Sequence, residues 1–593
     1  MRALFRLFPY FKRHKWGFLL GMASVGLSNV CTVRAWVVVG KAINGFFQAG
    51  AAQAPVARSA IVVFLLFLVA AVFRFLMRWL LSGVSRHIEY EFRNDIFAHL
   101  QRLSPSYYDR HMTGDLMARA TNDIDAVRLV LGPGLMYPVN AAVLAPLALA
   151  PMIGISPLLT ALALAPVALV PIFVRRFARA IHRMFRAVQD SYSEMSARAQ
   201  ENLAGIRVVK AFAREDEEAA IFRRMNEEYR RLNMRLMVVR AFMFPAMRTV
   251  VQLGRVGVIG LGAWMIFQLR AGSGWGVAPG SLFAFLGLFE ELIWPMISVG
   301  WIVDVVQRGA ASMKRICEIL DARPEIPPPD GQPQAADEPP IEGRIEFRDL
   351  TFAYNGRPVL EGIRLTVQPG RTLGVVGPVG CGKSTLLSLI ARLYPVARGQ
   401  LLIDGRDIND IPIRQLRRAV AMVPQETFLF SDTLRENIAF GVEAAEEASM
   451  RRSAELAQIA QTIENFPQGY DTVIGERGIN LSGGQKQRTA IARALLRNPR
   501  ILLFDDSLAS VDTETEERIL KGLRTELAGR TAIVVSHRIS TVAMADQIIV
   551  LTEGRIVEQG THGELIERGG LYADLARRQQ LIEEIERANS AGG

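Results

Sequence analysis

The chain changes its hydrophobic rhythm once, near its middle. Before residue 320, apolar residues come in runs long enough to cross a bilayer, and six spanning helices are predicted. They cover Trp16–Gly40, Ala60–Val84, Leu131–Gly154, Leu158–Val174, Phe242–Leu269 and Leu282–Val306. The third and fourth nearly merge through Ile155-Ser156-Pro157, which reads as a tight turn outside the membrane. Arg86–Arg128 and Arg175–Arg240 are charged, helical in pattern and poor in breakers, so the spans are expected to continue beyond the bilayer as stalks. Each stalk holds a stretch suited to docking: Ser106–Asp109 through Gly114–Asp123 in the first, and Glu201–Phe212 in the second. Met1–Lys15, with Phe and Leu between basic residues, reads as an interfacial helix.

After the last span the rhythm shortens. Asp321–Pro340 holds seven prolines and five acidic residues, the composition of a linker. Ile345, Phe347, Leu350, Phe352 and Tyr354 then fall largely in period two and predict a strand pair or hairpin. Strand and helix patterns alternate from there to about Leu575, which argues for an α/β domain with a parallel-rich sheet. Arg577–Gly593 reads as a polar helix fraying into a tail. The expected organisation is a helical transmembrane domain over 1–320, a linker over 321–341, an α/β domain over 342–580 and a polar tail over 581–593. Each half occurs once, with no internal repeat.

Composition sharpens this in two ways. Half of the 593 residues are hydrophobic and 21% are charged, while mean hydropathy is positive at +0.19. A membrane part joined to a soluble part reconciles these values. The net charge of +11 suits either nucleic acid or an anionic membrane surface. The basic residues lie in the two stalks, and the loops between the first and second and the fifth and sixth spans carry only Lys41, Arg58 and Arg270. The positive-inside rule therefore places stalks, termini and α/β domain in the cytoplasm of a multi-pass inner-membrane protein, and argues against nucleic acid as a partner. The basic N-terminus runs into a span too long for a cleavable signal. Cys31, Cys317 and Cys381 form neither a disulfide framework nor a metal spacing.

The chemistry lies in the second half. Gly377-Pro378-Val379-Gly380-Cys381-Gly382-Lys383-Ser384-Thr385 fits the phosphate-loop pattern, between a predicted strand, Thr372–Val376, and a predicted helix, Leu386–Leu393. Gly377, Gly380 and Gly382 let backbone N–H groups curl round a phosphate at a helix N-terminus. Lys383 can reach the outer phosphates, and the Ser384 hydroxyl can hold Mg²⁺. ATP and Mg²⁺ are thus the expected ligands, and Cys381 a point where alkylation would block nucleotide. Asp505 ends the apolar strand Ile501–Asp505, the usual place for a Mg²⁺-holding carboxylate. Gln425 follows a strand over Ala421–Val423 and offers an amide to the metal and the attacking water. His537 follows Thr531–Val535, in reach of a terminal phosphate; by spacing alone a structural role is as good. Ser482, Gly483, Gly484 and Gln485, before a helix expected near Lys486, would present donors to phosphate.

Leu481-Ser482-Gly483-Gly484-Gln485 with the phosphate loop makes the chain resemble an ABC transporter of the exporter type over nearly its whole length. The resemblance implies that Tyr354 stacks on adenine, that Gln425 is the Q-loop residue and that His537 senses the γ-phosphate. Gly475-Glu476-Arg477-Gly478 is similar to an exporter-specific loop, and the two docking stretches to intracellular coupling regions. It also implies a half-transporter, whose ATP is clamped between the phosphate loop of one subunit and the signature of another. One position departs. The glutamate that follows the metal aspartate in the family is here Asp506, one methylene shorter. Misplacing a catalytic group by about 1 Å can cost around a hundredfold in rate. The expected subunit binds ATP, hydrolyses it poorly at its own site, and favours a heterodimer with a competent partner over a homodimer. Membrane lipids surround it, and its cargo is amphipathic: a drug, another small molecule or a lipid. The alternatives are a homodimeric exporter with a working Asp506, and an ATP-gated membrane regulator or channel. Arg34, Arg74, Arg78, Arg248, Arg255, Glu290, Glu291 and Asp304 lie within spans, either lining a cavity or pairing with one another.

Overall fold

The computed structural model describes residues 2–49, 53–270, 276–326, 339–475, 481–508, 515–519, 521–522 and 529–591. The chain divides into two compact units. One comprises Met1–Gln101 with Met112–Ala322, the other Arg102–His111 with Arg323–Gly593.

The first unit is helical. Its long helices are α1 (Lys15–Ala49), α2 (Gln53–Arg102), α4 (Pro133–Ile155), α5 (Pro157–Ala204), α6 (Glu215–Arg270) and α7 (Pro279–Asp321), and α3 (Pro105–Arg110) belongs to the other unit. The six match the six apolar runs, and all but α4 extend well past them. Among the described residues, four helical stretches are long and apolar enough to cross a membrane: Lys15–Phe47, Ala57–Arg102, Thr113–Ile155 and Glu215–Leu269. The turn between α4 and α5 is a single residue, Ser156, whose hydroxyl accepts the Leu159 N–H at 3.3 Å while Pro157 starts the next helix.

Apolar side chains fill the inside of this bundle and also coat its outside. Met152, Leu159, Val258, Phe285 and Leu288 are fully enclosed, whereas Phe64, Phe75, Trp79, Leu253 and Phe267 are exposed. A protein in water would bury that second set; a bilayer solvates it. Small residues let helices close up: Gly280 of α7 meets Gly40 and Asn44 of α1, and the Asn44 side chain accepts the Gly280 N–H at 2.7 Å. Of the ionisable residues within spans, Arg255 pairs with Glu290 at 3.4 Å and Asp304 with Arg308 at 2.7 Å. Arg34, Arg74, Arg78 and Arg248 are exposed.

The N-terminal segment differs from a simple interfacial helix. It is a 3₁₀ turn, Arg2–Leu7, followed by a short helix, Phe8–Arg13. Leu7 is buried against Ile88, Phe92 and Met313. Arg6 pairs with Asp321, and Arg13 and His14 bind Glu91. Its acidic partners come from α2 and α7, so protein covers one side of it, while Phe5 and Phe8 stay exposed.

The first docking stretch has two fates. Asp115 and Arg119 pair at 2.9 Å, Arg119 also reaches Glu318 at 2.9 Å, and a π-helical turn over Arg119–Asp123 brings Asp123 onto α7. There the Ser312 hydroxyl donates to Asp123 at 2.9 Å and the Arg315 guanidinium clamps it. The second stretch, with Leu203, Val208 and Phe212, is exposed in the single chain.

The second unit is α/β. Its main sheet runs β10-β9-β3-β8-β7-β6, from β3 (Thr372–Val376), β6 (Val420–Val423), β7 (Ile501–Asp505), β8 (Thr531–Val535), β9 (Gln547–Thr552) and β10 (Arg555–Gly560). All neighbours are parallel except β9 and β10. A four-stranded antiparallel sheet holds β1 (Ile345–Tyr354) and β2 (Arg357–Val367), with β4 (Leu401–Ile403) and β5 (Arg406–Asp407). The apolar rhythm of β1 slips between Phe347 and Leu350 because the strand bulges there, with Asp349 at φ 49°. β3, β7 and β8 are buried along nearly their whole length, which is why they read as continuous apolar runs. A single helix, α10 (Leu571–Ala591), closes the chain.

Candidate nucleotide site

β3 ends at Val376, and the phosphate loop turns from it into α8 (Lys383–Ile390). The helix begins three residues earlier than its apolar pattern suggests, because Lys383, Ser384 and Thr385 form its first turn. Gly382 sits at φ 101°, and a Cβ there would lie 2.7 Å from a Leu360 methyl and 2.9 Å from the Val359 carbonyl oxygen. Only glycine fits without strain.

The C-terminal ends of β3, β7 and β8 gather the remaining groups around a cavity of about 200 Å³. Lys383, Ser384, Thr385, Gln425, Asp505, Asp506 and His537 all line it, with Gly380 and Gly382. Residues predicted from far-apart stretches are thus brought together. Lys383 is buried, and its ammonium donates to the Gly377 and Pro378 carbonyls at 2.8 and 2.7 Å. The Ser384 hydroxyl donates to Asp505 at 2.9 Å. Burial pushes the Asp505 carboxyl above its ordinary value, and the Ser384 hydrogen bond only partly offsets this.

A divalent cation would relieve that buried carboxylate, so the residues fit Mg²⁺. Among the described residues, no three His, Cys, Asp or Glu side chains gather to hold a metal alone. The ion would rest on Ser384, Asp505 and nucleotide oxygens, as Mg²⁺ commonly does.

Asp506 is buried and adopts φ 45°, unusual for a non-glycine residue. Its N–H donates to the Val535 carbonyl at 3.0 Å, which ties the residue to β8. Its carboxylate turns towards His537: one oxygen lies 3.5 Å from the His537 N–H and the other 3.8 Å from Nε2. Ser507 and Leu508 follow, and Ala509, Ser510, Val511 and Asp512 lie outside the described residues, as do Glu476, Arg477 and Gly478.

Gly377, Tyr354 and the Ser482–Gln485 stretch are not on the cavity wall. Tyr354 is half-buried in an aromatic group with Phe352 and Tyr394, ring centroids 4.9 and 5.1 Å away. Ser482–Gln485 open α9 (Gly483–Leu496) instead. Ser482 caps it in a reciprocal box with Gln485, so the helix starts at Gly483 and not near Lys486. Cys381 requires a correction: its thiol is buried 3.8 Å from the Lys383 ammonium, so alkylating reagents do not reach it unless the loop opens.

Two supporting residues escaped the sequence. The Tyr394 hydroxyl donates to Asp109 of α3 at 2.8 Å, and Ser106 of α3 binds Glu325 at 2.5 Å. The Gln579 side chain of α10 accepts the Ile539 N–H at 2.6 Å and donates to the His537 carbonyl. Neither lies in a motif; a lone polar residue gives no signal of its distant partner.

A phosphate loop, a buried carboxylate and a histidine on a parallel sheet, joined in one chain to a membrane-spanning helical unit, define a membrane-bound ATPase. The chain belongs to the ABC exporters: residues 18–296 match the ABC transporter transmembrane region and residues 360–509 the ABC transporter ATPase family. It is 36% identical over 593 residues to the multidrug resistance-like ATP-binding protein MdlA of Escherichia coli, covering 99% of this chain and 98% of that one. It is 34% identical to the ATP-dependent lipid A-core flippase of Syntrophus aciditrophicus, over 89% of this chain and 87% of that protein. A solved structure of a bacterial Atm1-family ABC exporter with ATP bound superposes with a TM-score of 0.76 at 29% identity, covering 96% of this chain and 98% of that one.

Proposed function

We propose that the chain is one subunit of a dimeric exporter, carrying an ATP site that binds nucleotide but turns it over slowly. The placement of Asp506 carries this reading. Its backbone is tied to β8 and its short side chain is turned towards His537, and a general base must come within about 3 Å of the proton it takes. Lys383 and the loop N–H groups bind the phosphates, Ser384, Gln425 and Asp505 hold Mg²⁺, and Tyr354 stacks on adenine. Mg²⁺ would neutralise charge on the transferring phosphoryl group. The capped start of α9, with Ser482–Gln485, completes the ATP site of a partner that carries a longer carboxylate. The exposed Leu203, Val208 and Phe212 fit a surface covered in a dimer. With the ATPase domain cytoplasmic, cargo moves outward from the cytoplasm or the inner leaflet. The multidrug and lipid relatives support an amphipathic cargo.

The test is ATPase activity of the full chain alone and co-assembled with a candidate partner, each with Asp506 and with Asp506→Asn. Slow turnover alone, fast turnover with the partner and less than about a twofold loss there on Asp506→Asn are expected, against the roughly hundredfold loss of a displaced working base. Fast turnover from this chain alone, abolished by Asp506→Asn, would establish the homodimer with a working aspartate. Ion conductance without substrate-stimulated turnover would establish a gated channel.

A further inference from the structure

Just beyond the fourth apolar run, α5 carries a row of basic residues that nucleotide chemistry does not use. Arg176, Arg179, His182, Arg183 and Arg186 follow one another at helical spacing. At 3.6 residues per turn they share roughly a third of the helix circumference, over about 15 Å of its length. Between Val174 and Asp190 the sequence has no acidic residue. Among the described residues, Arg176, Arg183 and Arg186 form no ion pair, whereas several arginines elsewhere on the stalks do, as Arg198 with Glu218 and Arg230 with Glu227. The opposite face is apolar and includes the buried Val188. The basic face borders an open cavity of about 740 Å³, lined among the described residues by these five side chains and Ala180.

Guanidinium groups one turn apart repel one another and weaken the helix. An anion between them reverses the sign of that interaction. Guanidinium matches the paired oxygens of a phosphate in two parallel hydrogen bonds. The cavity is far larger than one phosphate, and its place just beyond the fourth apolar run suits the depth of lipid head groups. A basic cluster beside a spanning helix attracts anionic lipid.

We propose that this face of α5 is a binding site for the phosphate-bearing head group of an anionic lipid, in the leaflet we assign to the cytoplasm. The site is independent of how fast the ATP site turns over, and of which partner completes it.

The test uses the full chain in nanodiscs of phosphatidylcholine with increasing phosphatidylglycerol, reading bound lipid by native mass spectrometry and basal ATPase activity in the same samples. Arg183→Gln with Arg186→Gln is expected to weaken phosphatidylglycerol binding by about fivefold for each arginine removed, with basal activity unchanged. Arg183→Lys with Arg186→Lys keeps the charge but loses the fork, and is expected to weaken binding several-fold. Arg223→Gln with Arg224→Gln, an equal loss of charge on exposed positions of α6, is expected to leave it intact. Equal losses in both glutamine pairs, or full binding by the lysine pair, would reduce the site to general surface charge and overturn the proposal. Pyrophosphate binding to the detergent-solubilised chain as tightly as the lipid does, and lost with Arg183→Gln and Arg186→Gln, would overturn the lipid assignment.

Discussion

Gly382 shows how much one missing Cβ matters. Its backbone is left-handed, and any side chain would press on the Val359 carbonyl and on Leu360. Gly382→Ala should strain the loop by about 1–3 kcal/mol and weaken ATP binding by about tenfold or more, measurable with a fluorescent nucleotide on the full chain. Asp123 is a second single-residue test. Burial alone would raise its carboxyl, but hydrogen bonds from Arg315 and Ser312 outweigh burial and hold it below its ordinary value. A depressed carboxyl stabilises the fold above its unfolded pKa, and that contribution is lost as pH falls towards the folded one. Asp123→Asn should therefore destabilise by about 1 kcal/mol near neutrality, below the usual range for a charged hydrogen bond because Arg315 is half exposed. The gap from wild type should close on acidification, as read by thermal melts across pH. Motif residues such as Lys383, Ser384 and Asp505 were legible because their chemistry demands a fixed order along the chain. Tyr394 and Gln579 were not, because their partners lie 285 and about 40 residues away.

At the scale of elements, burial decided what could be read. β3, β7 and β8 appear in the sequence with their observed bounds because both faces are buried. Helix starts were less legible: α8 begins in polar residues of the phosphate loop and α9 in a capped Gly-Gly-Gln turn, so an apolar pattern finds them three residues late. The bulge at Asp349 broke the strand rhythm of β1 without breaking the strand. α10 adds a function no pattern reveals, since Gln579 fastens the loop that carries His537. Gln579→Ala removes both hydrogen bonds. At about 1 kcal/mol each, amide exchange at Ile539 should quicken by about thirtyfold, with β8 itself unchanged; an unaltered rate would show that α10 does not hold the loop.

For the whole molecule, the six apolar runs and the change of rhythm near residue 320 were enough to foresee a helical membrane part and an α/β part. What they could not foresee is that the boundary in space does not follow the boundary along the chain. Ten residues, Arg102–His111, belong with the ATPase unit although they fall inside the helical half of the sequence. Ser104 receives the Ile326 N–H at 3.2 Å, Ser106 holds Glu325, and Asp109 holds Tyr394 beside Tyr354. The two halves are therefore not interchangeable cassettes. A chimaera joined at residue 323 would inherit the ATPase sequence of one parent and a small structural piece of its fold from the other, and a faithful exchange must carry both segments across.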